Sequence, residues 1–230
     1  MQNCQLCINE KVGGVIFLAA MAHDPTNEMR LYDKSSRRLY LNRAELTRFL
    51  AVAHNAPPPQ RAFALTLAYT GMRLSEARML RAEDVQLSER VLSVRTLKKR
   101  QQQSVRELPM PLALVGEMSE FCGHDRVWLW EQCGRPLARI TAYRWIKALM
   151  ADAELSGPKA CPKGLRHAYG TRAVLSGVPL HMLQRWLGHG SMETTAIYAT
   201  VIGDEQLELC DAMWRAQDGI RYNSRKTSAN

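Results

Sequence analysis

From Asn42 onward the chain is a succession of segments with apolar residues at helical spacing, each closed by glycine or proline, and only one pair of runs has strand character. "NRAELTRFLAVAH" opens on a polar residue and then sets Leu46, Phe49, Leu50 and Val52 on one face, while "QRAFALTLAYTG" stops at Gly71, a residue suited to ending a helix. A short helix is expected over 75–81. Further helical patterns cover 111–121, 141–153, 165–175, 179–187, 191–201 and 204–217, punctuated by Gly157-Pro158, Gly177 and Gly188 to Gly190. "RVLSVRTL" and "SVRELPM" flank "KKRQQQ", so a basic-tipped hairpin is the simplest arrangement, with Pro109 and Pro111 ending its second strand. Before Asn42, Leu31 and Tyr32 and then Leu39, Tyr40 and Leu41 flank a polar turn, as in a hairpin or extended arm. The spacing predicts a mainly α fold with a small antiparallel β-sheet (α+β), and no internal repeat is visible.

Charge narrows the partners. In 230 residues, 31 Lys and Arg stand against 22 Asp and Glu, a formal charge of +9 that suits a polyanion, nucleic acid first and an acidic membrane surface second. From Arg90 to Arg106 come Arg90, Arg95, Lys98, Lys99, Arg100 and Arg106 with no acidic residue, and a solvated basic loop would explain them as simply as a binding surface. Six scattered cysteines do not form a disulfide framework, and no second pair answers Cys4-x-x-Cys7 with zinc spacing, so reduced thiols and no metal are expected. Residues 11–22 imitate a short signal peptide, but Glu10 and a single basic group precede the apolar run. No apolar run reaches the roughly 18 residues of a membrane span. A soluble, cytoplasmic, nucleoid-associated protein without a membrane partner is the expectation.

Breaking a phosphodiester without a metal requires a nucleophile, cations around the non-bridging oxygens and an acid for the leaving oxygen. Arginine suits the second requirement, because its charge is permanent and its planar fork holds two phosphate oxygens. The chain offers Arg73 in "TGMRLSE", Arg166 in "KGLRHAYGT", His189 in "LGHGS" and Tyr198 in "TTAIYA". Singly, each has a plain structural explanation: a surface arginine at a helix start, a histidine cap after a glycine, a half-buried tyrosine.

Together, "TGMRLSEARMLRAEDV", "LRHAYGTRAVLSGVPLHMLQRWLGH" and "SMETTAIYA" resemble the tyrosine recombinase (phage integrase) family, over roughly 41–201, with Tyr198 nine positions after His189. The resemblance implies the mainly helical catalytic domain of that family over 41–202, an arm over 1–40, and a C-terminal helix and tail over 203–230. It implies a site-specific recombinase acting on duplex DNA without metal, ATP or other cofactor. Tyr198 would attack the scissile phosphorus to give a 3′-phosphotyrosyl link, Arg73 and Arg166 would hold the non-bridging oxygens, and His189 would be a further donor. A lysine at the hairpin tip, Lys98 or alternatively Lys99, would protonate the leaving 5′-oxygen. Glu76 and His167 would support the site, and Arg95, Lys99 and Arg100 would contact DNA. A phenol of pKa about 10 needs nearby cations or a base to react at neutral pH, and the arginines and basic tip are expected to lower it.

Two departures from the pattern stand out. Lys163 occupies the position three residues before the second arginine where the family usually has histidine; this resembles type IB topoisomerases, and an ammonium must lose its proton before it can accept one. The forty residues before Leu41 are also too few for the N-terminal helical domain with which most members clamp DNA, so a reduced clamp or dependence on partners is expected. A topoisomerase-like nicking and resealing enzyme, or a DNA-binding regulator that has lost the reaction, are the alternatives. The helix over 203–217 sets Leu207, Cys210, Met213 and Trp214 on one face, which fits either docking on its own core or the self-association on DNA that the family uses. Accessory DNA-bending proteins are a further expected partner.

Overall fold

The computed structural model of the chain describes residues 29–95, 105–122 and 127–200, and beyond these Leu207, Cys210, Asp211, Met213, Trp214 and Arg215. Lys98, Lys99 and Arg100 lie outside the described residues.

Asn42 starts α1 (Arg43–His54) with a reciprocal cap: its side chain accepts from the Glu45 amide at 2.9 Å, and its own amide donates to the Glu45 carboxylate at 3.0 Å. α2 (Pro58–Thr70) begins on prolines, is buried along most of its length and ends at Gly71 with φ 62°. It forms the centre of the main core, packing on α1, on α4 (Leu112–Ser119) and on α6 (Pro162–Leu175). α5 (Arg139–Asp152) closes the far side against α1 and α6. Residues 180–200 fold as α7 (Leu180–Leu187), α8 (Glu193–Ala196) and a 3-10 turn (Ile197–Thr200).

The expected hairpin is present as β2 (Val91–Arg95) and β3 (Val105–Pro109), antiparallel with Val94 opposite Arg106. Additional strands join the fold: β1 (Val85–Gln86) extends this sheet, and β4 (Glu131–Gln132) pairs with β5 (Arg135–Pro136). Two residues each, they are too short to show alternation in a sequence. The helix expected over 75–81 is only α3 (Leu74–Ala77), because the backbone leaves the helix for tertiary partners. Trp130 Nε1 donates to the Ala77 carbonyl at 2.8 Å, the Leu129 amide to Leu80 at 2.9 Å, and Arg81 bridges to Trp128.

Before α1, Tyr32 and Arg38 bridge as in a hairpin. Leu31 and Tyr40 are buried in a second core with Tyr169, Leu183, Leu187 and Tyr198. Leu31 and Tyr40, at the end of the segment expected as an arm, thus share a core with Tyr198. Among the described residues no helix is long and apolar enough to cross a membrane.

Candidate functional site

The left-handed turn at Gly71 releases the chain from α2 and sets Arg73 at the start of α3. A Cβ at Gly71 would stand 2.4 Å from the Tyr169 ring, so both backbone conformation and close approach call for glycine there. One turn into α3, Glu76 reaches back: its carboxylate accepts from the Arg73 amide and from Arg73 Nη1, both at 2.9 Å.

Three guanidiniums meet at the C-terminal end of α7. Arg106 Nε donates to the Trp186 carbonyl at 2.8 Å, Arg166 Nη2 to Leu187 at 2.7 Å, and Arg73 Nη2 to Gly188 at 3.3 Å. The last carbonyls of a helix lack intrahelical donors and carry the negative end of its dipole, so they attract and orient cations. Gly188 permits the arrangement: its φ of 65° ends the helix in the left-handed region, and a Cβ would meet the Arg106 guanidinium at 3.0 Å. Arg166 Nη1 is also held, by the Gly71 carbonyl at 2.8 Å. Burial, with the charge of Arg73, pulls the Arg166 guanidinium down to about 10, and it remains charged at neutral pH.

Glu76 is the carboxylate at the middle of this group. Arg106 Nη2 and Nη1 donate to its two oxygens at 2.7 and 3.3 Å, and Arg73 donates to the same two oxygens from its amide and Nη1. Burial alone would raise its pKa, but the hydrogen bond and charge of Arg106, followed by the Arg73 contacts, hold it below the usual carboxylate range.

Tyr198 is fully buried, its ring seated against Gly170, where a Cβ would fall 2.4 Å away. Its hydroxyl lies 3.2 Å from His167 Nδ1, and its ring stacks on His189 at 6.4 Å between centroids. His189 Nδ1 meets Thr195 Oγ1 at 3.0 Å. The Nε2 atoms of His167 and His189 find no hydrogen-bond partner among the described residues. Burial, reinforced by Lys163 and Arg166 for His167 and by Arg166 and Arg73 for His189, brings both imidazoles down to about 3, so they are neutral. The phenol departs from the sequence expectation. Arg166 and Arg73 do pull it down, but burial outweighs them and pushes it up to about 12.

The structure thus brings Arg73, Arg166, His189, Tyr198, Glu76 and His167 together. Lys163 sits on α6 one turn before His167, close enough for its charge to be felt there. Arg95 meets Glu83 at 2.9 Å and Asp84 at 3.4 Å, with its side chain 44% exposed. Arg106 belongs to a basic run that the sequence leaves open between a solvated loop and a binding surface, yet it is buried on the inner face of β3 with Leu108. A signal in the sequence could have found it: Arg106, Leu108 and Met110 share one phase of a period-2 pattern, and a cation in the apolar phase implies a buried acid opposite. Among the described residues no group of three His, Cys, Asp or Glu side chains could hold a metal ion.

The model of the phage integrase family matches residues 40–203. The chain is 29% identical over 168 residues to the tyrosine recombinase XerA of Pyrococcus furiosus, covering 70% of this chain and 57% of that protein. A crystal structure of XerA recombinase superposes with a TM-score of 0.67 at 27% identity, over 76% of this chain and 64% of that one. In fold the chain is also similar to XerH site-specific recombinase, solved bound to its difH substrate before cleavage, with a TM-score of 0.63 at 21% identity over 80% and 59% of the two chains. It spans about half the length of the tyrosine recombinases it matches.

Proposed function

The chain belongs to the phage integrase family of tyrosine recombinases, and from that premise we propose that it is a site-specific recombinase that cleaves and rejoins duplex DNA through a 3′-phosphotyrosyl intermediate. The observation that carries the proposal is the convergence of Arg73, Arg166, His189 and Tyr198 at the end of α7. Tyr198 Oη loses its proton to solvent and forms a bond to phosphorus as the bond to the 5′-oxygen breaks. Arg73 and Arg166 stabilise the negative oxygens of the transition state, with His189 as a further donor. Lys98, or Lys99, returns a proton to the 5′-oxygen. The tyrosyl ester keeps the bond energy for rejoining, so the scheme needs neither ATP nor metal. The buried phenol must first leave its pocket beside Gly170 and approach the arginines. Lys99 and Arg100 track the backbone, an electrostatic contribution that falls steeply with salt. Leu207, Met213 and Trp214, which are 59%, 52% and 49% exposed, form an apolar face suited to a second copy of the chain on DNA. An origin on a mobile element and help from DNA-bending proteins fit the same reading.

Covalent capture from a fragmented genomic library followed by sequencing yields a target, and a nicked suicide duplex carrying it provides the test. Tyr198→Phe removes one oxygen and little volume, so the adduct seen in a denaturing gel disappears while binding stays nearly intact. An undiminished adduct would identify another nucleophile, Tyr169 for instance. Absence of any wild-type adduct favours a regulator without chemistry, and adduct without recombinant joints from two-site DNA favours topoisomerase-like resealing.

A further inference from the structure

Arg106 is a buried cation to which the cleavage scheme gives no step. We propose that Arg106 is a positioning residue for DNA cleavage: it fixes Glu76, and through Glu76 the phosphate-holding arm of Arg73, while tying the strand after the hairpin tip to the end of α7. The proposal deepens the recombinase reading and rests on it.

The geometry leaves Arg106 no room to act on DNA directly, because its side chain is only 6% exposed. Its fork is divided between two elements. Two nitrogens hold the Glu76 carboxylate and the third holds the Trp186 carbonyl. Glu76 in turn holds both the amide and the guanidinium of Arg73. Arg73 and Arg106 thus pull the same carboxylate from two directions, which locks the torsions of all three side chains. Strand β3, which carries Arg106, is the return strand of the hairpin whose two strands flank Lys98 and Lys99 in the sequence. One side chain therefore sets the distance between the phosphate clamp and the strand leading from the proposed acid. The balance of charge is also suited to the substrate. Three guanidiniums against one carboxylate leave a net +2, which complements the total of two negative charges reached when the singly charged phosphodiester gains the deprotonated tyrosyl oxygen.

Lysine retains the charge of Arg106 but cannot hold the carboxylate and the Trp186 carbonyl through a planar fork. Methionine removes both. The test is single-turnover cleavage by the full chain, at saturating protein and across pH, on a nicked duplex carrying the sequence recovered from the wild-type adduct. R106M is expected to cleave about 100-fold more slowly, the order of loss that follows an ångström-scale misplacement of a catalytic group, with affinity little changed. R106K should fall between it and wild type. Without Arg106 the carboxyl of Glu76 loses the partner that offsets its burial. The R106M rate should therefore acquire an acid limb that wild type lacks, and E76Q in the same background should remove it. A variant that was merely less stable would not move the pH profile of the folded complex. Should R106M fail to fold at the assay temperature, R106K decides. A wild-type rate in a folded variant, or slower cleavage with an unchanged pH profile, overturns the role of Arg106 and leaves the recombinase reading standing. Absence of a wild-type adduct removes that reading and the role of Arg106 with it.

Discussion

At the end of α7, Arg73, Arg106 and Arg166 each donate to a helix-terminal carbonyl, and Glu76 balances the group with both of its oxygens engaged. Around the neighbouring Tyr198 the polar groups are buried and sparsely paired: two neutral imidazoles each leave a nitrogen without a partner among the described residues, and the phenol is held protonated by burial. The contrast teaches that the half suited to gripping phosphate is organised in advance, while the half suited to attacking it is stored in the core. Fixed guanidiniums need no reorganisation when an anion arrives. A tyrosine buried among apolar side chains is a poor nucleophile until something draws it out.

Acid should separate the two halves most visibly. His167 and His189 titrate near 3 in the folded chain, against about 6.5 when unfolded, so between those values the unfolded chain binds protons that the folded chain does not. Stability is then complete above pH of about 6.5 and falls as pH drops, by up to about 1.4 kcal/mol per pH unit for each imidazole. Urea denaturation from pH 7 to 4.5 measures the slope, and His167→Phe should lower it. A flat profile would mean that the nucleophile half is wetter than the geometry indicates.

Lys163 lies at the border between the two halves, within electrostatic reach of His167. If its ammonium adds to the phosphate grip, Lys163→Ala slows single-turnover cleavage about 100-fold at saturating protein while affinity changes much less. A wild-type rate with weaker, less salt-sensitive binding would place the residue on the outer DNA backbone instead.

The smallest effect on the isolated chain should come from ending it after Ile202. Tyr198 and its pocket remain, as do all three arginines, so single-site binding should be unchanged. Cooperative assembly on two sites should be impaired if the face of Leu207, Met213 and Trp214 docks on a neighbouring copy, as measured by gel-shift titration. Equal cooperativity in the shortened chain would sink the exchange of that helix between copies.

Helix ends were the most legible part of the fold. Asn42 with Glu45, and the stops at Gly71 and Gly188, obey local rules that act within one turn of backbone. Where neighbours distant in sequence compete, local rules fail. The helix at Ser75 ends early because Trp130 and Leu129 take carbonyls of that stretch, and β1, β4 and β5 exist only because partners lie alongside. The site divides in the same way. Arg73, Arg166, His189 and Tyr198 could be named from three short stretches of sequence, whereas Arg106 hid inside a basic run whose other described members turn to Met110, Glu83 and Asp84.

The class of the fold, the order of its helices and the residue types available for chemistry follow from periodicity and caps, which are written within a few residues of each other. How those residues are charged and aimed depends on packing between distant segments. The pKa of a group depends on how much water surrounds it and which charges face it, and both are set by segments far apart in the chain. Arginines 73, 106 and 166 share one helix end, and a tyrosine expected to be lowered by cations is instead raised by the core that encloses it.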